Sequence, residues 1–357
     1  MKSELHLFIL WEKSKAHWDR ILNDIRKKFK IVKVFKNYWS QEHFATNLTR
    51  FYGRNLPPES NKEKHCGAGP FMLVIIKDKN PKYDERKTSK GTKKVNVNIF
   101  DAKMLYRKWT GGGHKIHATN STTETNHDLA LLLDTDSKSF FSKYNKEWDG
   151  VIADIHMDLV GTKGWKSMKQ LLTILNATID YVILRNYECL PEQYIMKSHG
   201  DIDILTDSYQ DICFIANAKK VFKQPYRVQN RVKIAGEEIQ FDFRYVGDGY
   251  YDQSWEESIL KNKILTEQGF YVPNDYDYFY SLLYHAIVHK SKFASDYRKK
   301  LINLSKKLNI NSISEELFNS TNDLKLFLDK YLNQMNYKYS TPIDLSVFIN
   351  RKLVGEI

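Results

Sequence analysis

Apolar runs and amphipathic stretches alternate along the first half of the chain. Residues 5–11 form a short, largely apolar run that reads as a strand. Trp18, Ile21, Leu22, Ile25 and Phe29 then recur at helical spacing, so 14–29 is expected to be a helix with Ser14 at its N-cap. Residues 31–35 read as a second strand. A helix from Ser40 to about Tyr52 is expected to end at Gly53. Residues 56–69 mix prolines, glycines and charges and read as a loop. Phe71–Asp78 is apolar enough for a buried strand. Residues 80–94 are charged and aperiodic, the pattern of an exposed loop able to close over a ligand. Residues 95–100 alternate like a short strand. Asp101 is expected to cap a helix to about Trp109, and a further helix begins at Glu124 or Asn126 and runs through Leu133.

The polar stretch 134–149 is the expected domain junction. Beyond it come a helix over 166–177, strands over 180–184 and 201–205, and a helix over 209–222. Residues 228–235 and 238–245 alternate about Gly236-Glu237, as a hairpin does. After Gly247-Asp248-Gly249 the pattern is helical over 255–261, 275–290, 296–308 and 315–334. The expectation is an α/β (α+β) protein: an N-terminal α/β domain (1–150), a mixed-sheet core (151–250) and a helical region (251–357).

The 357 residues are 42% hydrophobic and 27% charged, enough apolar material for more than one core. The net charge of +12 favours anionic partners. Lysines are scattered rather than clustered, which disfavours nucleic acid among those partners. Cys66, Cys189 and Cys213 have no metal-type spacing and read as reduced thiols. No run reaches about 18 apolar residues, so a cytoplasmic protein is expected, at most peripheral to a membrane.

Within the strand over 201–205 the chemistry is concentrated. Asp201 and Asp203 are two residues apart and share a face. Two carboxylates there call for a positive charge between them, unless the strand end is solvated. Asp242, flanked by Phe241 and Phe243 on the hairpin, is the candidate third acid. Such an oxygen cluster suits Mg²⁺ or Mn²⁺, ions that offset charge developing in phosphoryl or nucleotidyl transfer. His285 and His289, four apart on an apolar helix, read better as buried, hydrogen-bonded histidines than as metal ligands.

His199-Gly200-Asp201-Ile202-Asp203-Ile204-Leu205 on a strand, a helix after it and a hairpin with a third Asp resemble the nucleotidyltransferase fold shared with DNA polymerase β. Tyr181-Val182-Ile183-Leu184-Arg185-Asn186, Leu190-Pro191, Val246-Gly247-Asp248-Gly249-Tyr250-Tyr251 and Leu283-Tyr284-His285-Ala286-Ile287-Val288-His289-Lys290 are similar to such proteins from bacterial surface-glycan gene clusters. The resemblance covers about 166–300. It implies metal binding by Asp201, Asp203 and Asp242. The fold's usual phosphate-gripping Gly-Ser pair is replaced by Arg185-Asn186, which brings a nucleoside triphosphate donor into question and leaves a CDP- or UDP-linked group as the other option. Arg185 is expected either to clamp a phosphate or to pair with one of the acids. Lys290, with Tyr297 and Arg298, is a further phosphate-binding candidate.

A second anion-binding candidate is Gly111-Gly112-Gly113-His114-Lys115, with His117 beyond it. Glycines let the backbone approach an anion, and a helix start would supply N–H donors; many such runs are only hinges. The stretch resembles the phosphate-binding loop of the sulfiredoxin/ParB-like superfamily over about 71–133. Gly113 stands where sulfiredoxin has its reactive Cys, so the resemblance implies nucleotide binding or a kinase role, without sulfinic-acid repair. Asp101, Lys103 and Arg107 would then contact substrate, or else form a solvated face.

The expected function is a metal-dependent nucleotidyl- or phosphotransferase. It would use a nucleotide or nucleotide-linked donor and a phosphorylated sugar, polyol or surface-glycan acceptor, and could be bifunctional with an N-terminal nucleotide-binding or kinase domain. The alternatives are a toxin-type nucleotidyltransferase modifying RNA or protein, and a non-catalytic nucleotide-binding module.

Overall fold

The computed structural model describes residues 3–88, 91–194, 201–310 and 315–355. The fold is mixed α/β, in two compact units, Met1–Lys163 and Gly164–Ile357. The division falls beyond the junction expected at 150, because the strand Ile152–Ile155 still pairs with the first unit's sheet and Asp158 still anchors Ser40 and Asn47 there. The expected 151–250 core and the helical 251–357 region lie together in the second unit. Among the described residues no helix is long and apolar enough to cross a membrane.

Unit 1 is built on β1 (Glu4–Leu10), α1 (Trp18–Lys28), β2 (Lys30–Asn37), α2 (Phe44–Tyr52), α3 (Asn61–Cys66), β3 (Phe71–Asp78), β4 (Tyr83–Thr88), β5 (Gly91–Asn96), α4 (Val97–Trp109), β6 (Ile116–Ala118), α5 (Thr122–Leu133), α6 (Ser137–Lys143) and β7 (Ile152–Ile155). The sheet order is β6-β1-β3-β2-β7. β1, β2, β3 and β6 pair antiparallel, and β7 joins β2 in parallel. The path β1-α1-β2-β3-α4-β6 is the split β-α-β arrangement of ferredoxin-like folds. Phe8 and Leu10 of β1 bury against Ile21 and Ile25 of α1 and Ile99, Ala102 and Tyr106 of α4. The opposite face of β1 is covered by α5.

Four local expectations change. Ser14 caps no helix; it is buried in a 3₁₀ turn, donating to the Trp11 carbonyl and accepting from Trp18 Nε1. The stretch expected as a loop at 56–69 contains α3, capped by Ser60. The charged stretch at 80–94 is largely a β4–β5 hairpin rather than an open loop. Asn96, not Asp101, caps α4, and Asp101 sits exposed within that helix.

Unit 2 is built on α7 (Met168–Thr178), β8 (Tyr181–Ile183), β9 (Asp201–Thr206), α8 (Tyr209–Ile215), β10 (Lys219–Lys220), β11 (Gln229–Ile234), β12 (Glu237–Tyr245), α9 (Gln253–Lys261), a small β13 (Ile264–Leu265) and β14 (Tyr271–Val272) ribbon, α10 (Asp275–Val288), α11 (Ser295–Lys307), α12 (Thr321–Met335) and α13 (Arg351–Val354). The sheet order is β10-β11-β12-β9-β8, with only β12 and β9 parallel among its described pairs. Val182 and Leu205 bury with Trp255, Phe279, Leu283 and Leu328 of the helices. The helix expected over 209–222 stops at Ile215, and Lys219–Lys220 pairs with β11 instead. A later segment closes this unit over the sheet end: Asp344 accepts from the Val228 amide, and Ile343 donates to the Asp248 carbonyl.

Candidate active site

Asp203 and Asp242 are direct neighbours across the parallel β9–β12 pair, with Asp201 opposite Gln240. The alternation of each strand makes this inevitable. Ile202 and Ile204, like Phe241 and Phe243, are buried on one face, so Asp201, Asp203 and Asp242 share the other. Arg244, two residues after Asp242, projects on that same face.

The acids are not left bare. Arg185 Nη2 donates to Asp203 Oδ1 at 2.5 Å and to the Tyr250 hydroxyl at 2.8 Å. Tyr250 then lies 2.6 Å from His285 Nδ1, and His285 Nε2 lies 3.2 Å from the Tyr297 hydroxyl. Burial and the surrounding cations drive the His285 pKa well below its usual value, so the ring is neutral. Its Nδ1 accepts from Tyr250 and its Nε2–H donates to Tyr297. Arg185 is therefore spent within the protein, the ion-pair alternative of the two expected for it.

Arg244 is more loosely tied. It lies 3.4 Å from Asp242 Oδ2, 3.8 Å from Asp248 and 4.0 Å from Asp344. Its guanidinium sits 4.3 Å from the Tyr250 ring centroid. Asp242 Oδ1 is buried with no hydrogen-bond partner among the described residues. Burial, with Asp203 the nearest like charge, pushes the Asp242 carboxyl up to about 7. Burial and Asp201 also raise Asp203, against Arg185. A carboxylate that holds its proton this tightly is short of cations.

Among the described residues no three His, Cys, Asp or Glu side chains stand in a metal-holding arrangement. Arg185 and Arg244 occupy oxygens a metal would take. The donor set nonetheless suits a hard divalent ion: three carboxylates on one face, two with raised proton affinity, one with an unpartnered oxygen.

Other expected residues fall variously. Lys290, just after α10, is exposed and near enough to lower the Asp203 pKa. Tyr297 reaches the site through His285, whereas Arg298 turns away to Asn319 and the Glu315 carbonyl. His285 is buried and hydrogen-bonded as expected; His289 is buried, but neither ring nitrogen has a hydrogen-bond partner among the described residues. His199 and Gly200 lie outside the described residues.

In unit 1 the glycine run takes a different position from the one expected. Gly111, Gly112 and Gly113 all have positive φ, but they end α4 and lead into β6. The Gly111 and Gly112 amides turn back to the Lys108 and Arg107 carbonyls, and Lys115 Nζ donates to the Thr110 carbonyl. A helix C-terminus carries the wrong end of the dipole for an anion, so no phosphate cradle of helix-start amides exists here.

The positive charge gathers beside the loop instead. Lys62 on α3 is 8% exposed, with Nζ 3.7 Å from the Tyr52 ring centroid. Arg54, Arg107, His65 and His114 are its neighbours, and none of the five forms an ion pair among the described residues. Burial, aided by Arg54 and Arg107, brings Lys62 down to about 8; burial and this cation cluster bring His114 down to about 4. The His117 ring is edge-on to Phe51 and Tyr52. Its Nε2 is 2.7 Å from Asp128 Oδ2 of α5, and His127 holds the other oxygen at 3.0 Å. His117 is among the residues expected beside the glycine run, and Asp128 is not. The available signal was an acid set in the apolar stretch of α5, eleven residues beyond a histidine that alternates with buried Ile116 and Ala118.

No protein-family model and no curated protein matches this chain. Among solved structures it is similar to the Aquifex aeolicus nucleoside diphosphate kinase. The match has 16% identity, covers 36% of this chain and 94% of that chain, and has a TM-score of 0.26.

Chemically, the unit 2 face sets three carboxylates beside Arg244, with Lys290 near. The unit 1 face can neutralise an anion beside a carboxylate-oriented imidazole.

Proposed function

We propose that unit 2 is a metal-dependent nucleotidyl- or phosphotransferase, acting on a hydroxyl of a sugar, polyol or glycan. The observation that carries this is the side-by-side register of Asp203 and Asp242, with Asp201 on the same face. Asp201, Asp203 and Asp242 would hold Mg²⁺ or Mn²⁺, which offsets charge on the transferring group. Asp242 would complete that cluster, and its Oδ1, which has no hydrogen-bond partner among the described residues, is free to accept the proton of an acceptor hydroxyl. Arg244 and Lys290 supply positive charge for phosphate oxygens, a task Arg185 leaves to them. The test is Mn²⁺ binding by electron paramagnetic resonance, with and without CTP or UTP. Wild type should bind, and Asp203→Asn should lose both binding and turnover while staying folded. Equal Mn²⁺ affinity in the two proteins overturns the reading.

A second reading concerns unit 1 and rests on the His117–Asp128 pair beside unpaired cations. Asp128 accepts the Nε2 proton, which leaves the Nδ1 lone pair as nucleophile. Attack on the γ-phosphorus of a nucleoside triphosphate forms a P–N bond and expels the diphosphate. Lys62 and Arg107 would offset the charge. Incubation with γ-labelled ATP should leave acid-labile, base-stable label that His117→Gln abolishes. Absence of label, or label retained in that variant, overturns it.

A further inference from the structure

A cleft of about 850 Å³ opens in unit 1 where the end of α1, the end of β3 and the start of α4 meet. Six basic side chains line it: Arg26, Lys27, Lys28, Lys30, Lys79 and Lys82. They come from segments fifty residues apart in sequence, so the fold gathers lysines that the chain leaves scattered. Three acids also line it, but two are committed elsewhere. Asp78 is buried and held by the Asn80 amide and the Asn96 and Asn98 side chains. Asp101 pairs with Arg86 at 3.5 Å. Lys28 pairs with Asp24 at 2.7 Å. Arg26, Lys27, Lys30, Lys79 and Lys82 form no ion pair among the described residues. Trp148 stands at the wall, half-buried, with Arg26 5.8 Å from its ring centroid.

We propose that this cleft binds single-stranded nucleic acid through its phosphate backbone. Its features select that ligand over a small anion. Lys27, Lys79 and Lys82 are exposed and form no ion pair among the described residues, so no rigid phosphate cradle is built from them. Flexible cations spread along a cleft suit a repeating charge better than one compact phosphate. An aromatic wall adds a stacking face of the kind that accepts any base. The site is distinct from the acids of unit 2 and from His117, and stands or falls independently of the functions proposed for them.

The test is fluorescence anisotropy of a labelled 12-mer of dT or rU with the full chain over a salt series. Binding should weaken steeply with salt, with a log–log slope of about −0.7 per phosphate neutralised. Combining the exposed-site substitutions Lys27→Gln, Lys79→Gln and Lys82→Gln should weaken binding at least tenfold and flatten the slope. The charge-matched set Lys299→Gln, Lys330→Gln and Lys352→Gln should change it less than threefold. Trp148→Ala should cost a further few-fold. Equal losses in the two triple variants mean a general charge effect and overturn the proposal. So does tripolyphosphate competing at the oligonucleotide's own affinity, which assigns the cleft to a small polyanion.

Discussion

The two candidate sites handle charge in opposite ways. On the acid face of unit 2 an arginine stands against each of two acids, so Asp203 has Arg185 and Asp242 has Arg244. Unit 1 packs Lys62 and Arg107 together beside a neutral His114 and gives them no carboxylate among the described residues. The first cluster carries its own counter-ions, and the second has none among the described residues.

The largest test of that contrast removes a stored counter-ion. Asp203→Ala strands the buried Arg185 guanidinium and should cost about 3–5 kcal/mol in urea unfolding. Asp203→Asn, which keeps an acceptor, should cost clearly less. Equal costs would mean that Asp203 does not compensate Arg185.

The uncompensated cluster is expected to respond to an added anion instead. Pyrophosphate at about a hundred times its Kd should stabilise unit 1 by about 2.7 kcal/mol in differential scanning calorimetry. Lys62→Met should remove that gain and raise stability without ligand, because the buried ammonium is unfavourable on its own. Ligand stabilisation that survives this substitution would place the anion elsewhere.

A smaller effect comes from pH. Asp242 keeps its proton to about pH 7 when folded, whereas an unfolded Asp loses it near 3.8. Between these values the native state binds more protons, so its stability falls as pH rises. From pH 5.5 to 7.5 this amounts to about 2 kcal/mol at 1.36 kcal/mol per unit. Asp242→Asn should flatten the fall, and Mn²⁺ should offset it above pH 7 in wild type. An unchanged pH slope in Asp242→Asn would clear this carboxyl.

The smallest test touches the support of His117. Ser121 caps α5, the helix that carries Asp128, through the Glu124 amide. Ser121→Ala should cost about 1 kcal/mol in thermal or urea unfolding. A loss of no more than a tenth of that would show that the cap is dispensable.

Which parts of this could be read in advance follows from how far apart the interacting residues lie. The acid face was legible because apolar residues alternate with Asp201, Asp203 and Asp242, and period-two alternation fixes a face without any tertiary knowledge. The β11–β12 hairpin was legible from its alternation and its turn. The β4–β5 hairpin was not: most of β4 and the first part of β5 are exposed, so no buried face imposes a period. The fate of Arg185 stayed open because Tyr250 and His285, which help hold it, come from distant loops and helices. The glycine run misled because three glycines suit the end of a helix as well as the start of one.

The clasp at Asp344 sets a clock on the acid face. Asp344 holds the Val228 amide and lies near Arg227 and Arg244, the residue that faces Asp242. Ribosomes add roughly 5–20 residues per second. At that pace Arg244 is made on the order of ten seconds before Asp344. Over that interval Arg244 has one fewer carboxylate to restrain it. The acid face is thus made first and clasped last.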